Sequence, residues 1–69
     1  MILRIEVERE DDGRWLADVR ELPGVMAYGE TVSVALTRAK ALALRVLADR
    51  LEHGELAESA SFSFESQAA

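Results

Sequence analysis

A chain of 69 residues with no cysteine and a formal charge of -5 describes one small acidic domain. Chains of about 60 residues bury only roughly 60% of the surface they expose when unfolded, and no disulfide or thiolate-held metal is present to compensate. A homo-oligomer, dimer or tetramer, is therefore expected. The acidic balance disfavours a phosphate backbone as partner, so direct DNA binding is not expected. With neither a long apolar run nor a basic leader followed by an apolar one, a cytoplasmic chain without a membrane span is predicted. Seven arginines against one lysine, no asparagine and a single glutamine (Gln67) point to a heat-adapted, GC-rich source.

Met1, Leu3, Ile5 and Val7 alternate with Ile2, Arg4, Glu6 and Glu8, the pattern of a strand with one wet face. Glu10-Asp11-Asp12-Gly13 reads as a hairpin turn, and Trp15, Ala17 and Val19 alternate along a second strand. A loop from Asp11 to Gly13 sets Val7 opposite Ala17 and Ile5 opposite Val19, whereas a loop one residue shorter would set Val7 against Asp18. The chosen register opposes Glu6 to Asp18 and Arg4 to Arg20. Diagonal pairs, Arg4 with Asp18 and Glu6 with Arg20, are expected to offset that repulsion. Leu22-Pro23-Gly24-Val25 has the residues of a type II turn. Val25 to Tyr28 then forms a short third strand, which Gly29 breaks.

Thr31 is placed to cap a helix from Val32 to about His53, with Gly54 as its left-handed stop. Ala35, Leu36, Ala39, Leu42, Ala43, Val46 and Leu47 form its apolar arc, and Arg38, Arg45, Asp49 and Glu52 lie opposite. Leu44 and Leu51 widen the arc beyond what one sheet face needs, so either a second subunit or the C-terminal segment covers them. Ser59, Ser61 and Ser63 alternate with Ala60, Phe62 and Phe64, predicting a last strand with both phenylalanines inward. The sequence implies one domain over residues 1–65 and a frayed tail over 66–69. The fold class is α+β: a two-layer β-β-β-α-β sandwich, with a mixed sheet of order 3-2-1-4 and one long helix on one face.

Chemistry is sparse. His53, the only histidine, stands one helical turn from Asp49, but two ligands make a poor metal site and a cation at a helix end is favourable by itself. Glu6, Asp18 and Glu30 would have to converge to hold two magnesium ions, as in ribonuclease-H-like nucleases. Glu6 and Asp18 instead read as a solvated face. No catalytic residue, metal ligand set or cofactor is assigned. Trp15 is expected in the core. Tyr28, after Met26 on an edge strand, is the better candidate to meet a partner.

Asp12-Gly13-Arg14-Trp15-Leu16-Ala17, Glu21-Leu22-Pro23-Gly24, Gly29-Glu30-Thr31 and Ala35-Leu36-x-x-Ala39 together resemble the HicB-type antitoxin family over about residues 1 to 54. Arg20 replaces the family's usual proline, and Val34 the glutamate of its Glu-Ala pair. The resemblance implies a truncated ribonuclease-H-like unit without nuclease carboxylates, which binds and blocks a small basic mRNA-cleaving toxin, HicA. Because no helix-turn-helix or ribbon-helix-helix follows the domain, DNA-binding repression is not expected. Partner-binding candidates are Glu10, Asp11, Asp12, Met26, Tyr28 and Glu30; Leu44 and Leu51 are candidates for an oligomer interface. The alternatives are a stand-alone oligomeric protein- or ligand-binding domain and a residual nuclease.

Overall fold

Every second side chain of the first strand points into the core, and that alternation organises the rest. In the computed structural model, which describes residues 1–68, the elements are β1 (Ile2–Arg9), β2 (Trp15–Val19), β3 (Met26–Gly29), α1 (Val32–Glu52) and β4 (Ser63–Ala68). They form one four-stranded sheet of order β3-β2-β1-β4, antiparallel except for the β1–β4 pair, with α1 on one face. The fold is α+β, with the strand order that the sequence predicts.

The hairpin register is the expected one: Ile5 pairs with Val19, Glu6 with Asp18 and Val7 with Ala17. Its turn closes through Glu10 N–H to the Arg14 carbonyl at 2.7 Å and Gly13 N–H to the Glu10 carbonyl at 3.0 Å, with Gly13 at φ 90°. That is the three-residue loop whose last residue takes the left-handed conformation. At the second turn Val25 N–H donates to the Leu22 carbonyl at 3.0 Å, with Gly24 at φ 86°. Thr31 caps α1 by accepting from Val34 N–H at 3.1 Å. The helix ends at Glu52, with His53 as its cap residue and Gly54 beyond it at φ 75°.

Leu3, Ile5, Val7, Ala17, Val19, Leu22 and Val25 are buried against Ala35, Ala39, Ala43 and Leu47 of α1. Trp15, Leu36, Leu42, Val46, Leu56 and Phe64 pack around them, partly buried. A stripe of alanines lets the helix lie close to the sheet, and the approach is closest at Gly29. A Cβ there would fall 2.5 Å from the backbone nitrogen of Ala35, so this glycine, the last residue of β3, also serves close packing.

Several expectations are corrected. Met1 stays outside β1 and is exposed, because the strand begins at Ile2. Arg4 pairs with Glu21 instead of Asp18: its backbone N–H reaches Glu21 Oε1 at 2.6 Å and its Nε reaches Oε2 at 2.8 Å. Turning the chain after β2 brings Glu21 over β1, and two bonds to one carboxylate outweigh one diagonal attraction. The diagonal Arg20–Glu6 ion pair does form. The third strand is shifted by one residue and includes Gly29.

The last strand begins four residues late. Ser59 to Phe62 belong to the return from the helix, and only Phe64 packs on the core while Phe62 stays exposed. Pairing with β1 continues through Ser66 to Ala68, where a frayed tail was expected; Ala69 lies outside the described residues. Leu44 and Leu51 are exposed, so the C-terminal segment does not cover them. Among the described residues no helix is long and apolar enough to cross a membrane.

Gly29→Ala should lower the unfolding free energy by about 2–3 kcal/mol, because the added methyl meets backbone that cannot move aside. Gly54→Ala has open space and should cost about 1 kcal/mol through its positive φ alone. Urea unfolding of both variants measures the difference; equal midpoints would show that the close approach carries no weight.

Candidate functional site

Three consecutive acidic residues close the β1–β2 hairpin, and the register of β2 on β3 decides what stands beside them. Leu16 pairs with Tyr28 and Trp15 with Gly29. Arg14, two residues before Leu16, therefore falls diagonal to Tyr28 on the sheet face away from α1. Its guanidinium lies 4.3 Å from the centre of the Tyr28 ring, a cation–π contact. Asp12 holds Arg14 from the other side, accepting from its backbone N–H at 3.0 Å and from Nε at 2.7 Å. The turn and β3 so enclose an open cleft of about 330 Å³ lined by Glu10, Asp11, Asp12, Arg14 and Tyr28.

Four of the six partner-binding candidates meet in this cleft. Met26 lies further along β3, opposite Asp18, and Glu30 follows the strand; neither lines the cleft. Arg14 was missed because it reads from sequence as one more surface arginine. Its offset of two from Leu16 was the available signal, but it acquires meaning only once Leu16 is known to oppose Tyr28.

Charge in the cleft is graded. The backbone N–H of Arg14, and then its side chain, hold the Asp12 carboxyl below its ordinary range. Glu10 and Asp11 have no ion-pair partner among the described residues, so the cleft keeps uncompensated negative charge beside an aromatic face. Such a lining suits a lysine or arginine side chain from another molecule. The cleft lining holds no serine, threonine, cysteine or histidine.

The remaining candidates are scattered. Glu6 and Asp18 are cross-strand neighbours on the solvent face, with Glu6 paired to Arg20. His53 Nδ1 lies 2.7 Å from the Asp49 carbonyl oxygen and 3.3 Å from Asp49 Oδ1, at the end of α1. Among the described residues no group of three or more His, Cys, Asp or Glu side chains could hold a metal ion. Comparison with protein-family profiles, curated proteins and solved structures returns no match.

Lowered carboxyl pKa values at Asp12 and Glu21 fix the sign of a pH effect. Glu21 is lowered first by the backbone N–H of Arg4 and then by the Arg4 side chain. Both groups stabilise the fold above their unfolded-state pKa, and that contribution is lost as pH falls through the lower folded-state values. Stability should therefore decline on the acid side of the ordinary carboxylate range. An Asp12→Asn/Glu21→Gln double variant should show a shallower decline, measured by thermal unfolding from neutral to acid pH; an unchanged profile would exclude these two groups as its source.

Proposed function

We propose that this protein is a non-catalytic, HicB-like binding module that neutralises a small basic mRNA-cleaving toxin of the HicA type. The observation that carries the reading is the cleft, where Glu10 and Asp11 stand uncompensated beside Tyr28 and Arg14. A basic surface is drawn to that end of the molecule by charge, and a cationic side chain has carboxylates and an aromatic ring to meet there. The β-β-β-α-β order supports a truncated ribonuclease-H-like relation, and the motifs from Asp12 to Ala39 support the family resemblance. The engagement of Glu6 by Arg20 favours binding over residual nuclease chemistry.

A stand-alone oligomeric domain is the second reading, and the exposure of Leu44 and Leu51 favours it. Co-purification with the product of the adjacent reading frame separates the two. Recovery of a small basic protein whose RNA cleavage is suppressed supports the toxin reading, and recovery of the chain alone counts against it. In the toxin complex, a Glu10→Gln/Asp11→Asn/Asp12→Asn variant should weaken association at least about tenfold and flatten its salt dependence. Titration calorimetry at two ionic strengths checks both effects; unchanged affinity would remove the cleft from the interface.

A further inference from the structure

The two edges of the sheet differ in what covers them. Along an antiparallel strand, successive residues turn their backbone donors and acceptors to opposite neighbours. Val19 N–H bonds the Val25 carbonyl at 3.0 Å, so Met26 and Tyr28 turn theirs toward the outer edge of β3. There Arg38 Nη1 donates to the Tyr28 carbonyl at 3.0 Å and blocks a pairing position. At the opposite edge, Ser63 N–H donates to the Met1 carbonyl at 3.0 Å. Ser63 and Glu65 therefore face β1, and the backbone groups of Phe64 and Ser66 face out of the sheet. Among the described residues no side chain bonds to them, and β4 has none of the prolines or lysines that commonly blunt an edge.

Charge and apolar surface favour the same edge. From Ser59 to Ala68 the chain holds one ionised residue, Glu65, which is paired in register with Arg4. A chain of charge -5 repels its own copies, and a single carboxylate in ten residues keeps that repulsion low along this stretch. Lys40 lies 5.7 Å from the centre of the Phe64 ring, which marks the flank of α1 turned toward β4. Leu44, one turn beyond Lys40, and Leu51, two turns beyond Leu44, continue that flank. They are 52% and 48% exposed, and Phe62 beside the strand is 37% exposed. A basic partner would be drawn to the acidic turn instead, so this neutral strip fits a second copy of the chain.

We propose that β4 pairs antiparallel with β4 of a second copy about a two-fold axis at Ser66, forming one sheet of eight strands. In this register the outward groups of Phe64 meet those of residue 68 in the other copy, and Ser66 meets its own equivalent. Glu65 lies opposite residue 67 rather than opposite another Glu65, so the seam sets no like charges against each other. Both helices lie on one face, with the Leu44–Leu51 flanks turned toward the seam.

The test uses the full chain. Light scattering and sedimentation should find twice the mass of one chain. Ser66→Pro removes an amide that bonds nothing within its own chain, so its circular dichroism should be unchanged. Its dimer dissociation constant should rise about a hundredfold, about tenfold for each of two lost backbone hydrogen bonds. In this cysteine-free chain, Ser66→Cys should form a disulfide-linked dimer on mild oxidation and Ser33→Cys should not, since paired residues bring their Cα atoms within bridging distance. A monomeric parent chain, a Ser66→Pro variant that stays as tightly dimeric, or equal cross-linking at both positions would overturn the proposal. The Glu10→Gln/Asp11→Asn/Asp12→Asn variant should remain dimeric, so failure of the toxin reading and failure of this one are distinguishable.

Discussion

Close approach between one helix and one sheet is the constraint on which the rest of this structure depends. Ala35, Ala39 and Ala43 give α1 a smooth stripe, and Gly29 admits its first turn without a side chain in between. The volume between the layers is then filled from the sheet side by Leu3, Ile5, Val7 and Val19, with Leu22 from the following turn. A bulkier stripe would lift the helix and open voids that so small a core could not tolerate.

Arginines tie the surface of that core together. Arg4 fastens the turn after β2 to β1 through Glu21, and Arg20 answers Glu6 across the hairpin. Arg14 joins the acidic turn to β3 through Asp12 and Tyr28. Each of these three arginines is committed to a specific neighbour, and the carboxylates of Glu10 and Asp11, without an ion-pair partner among the described residues, form a negative end. The acidic site is thus partly a by-product of where the positive charges are spent.

Side-chain period and turn residues made most of the fold legible. Parity alone selected the pairing of Val7 with Ala17, and Gly13, Gly24 and Gly54 marked their turns or cap through the positive φ they adopt. Reading failed where two segments distant in sequence compete or approach. The Ser/Phe alternation from Ser59 to Phe64 has a strand's period, yet β4 begins only where β1 offers Ile2 as a partner. Gly29 looked like a strand breaker and nothing more, because the Ala35 backbone above it is invisible in one dimension. The acidic turn and Tyr28 were each recognisable, but their meeting in one cleft depended on Arg14, whose role comes from the β2–β3 register.

The Arg38 guanidinium on the Tyr28 carbonyl has a consequence for assembly as a whole. A sheet with two bare margins can recruit copies without limit and grow into a fibre, whereas a sheet with one sealed margin stops after a single addition. One long side chain reaching from the helix to β3 thereby occupies one of the positions at which a further strand would have to bond.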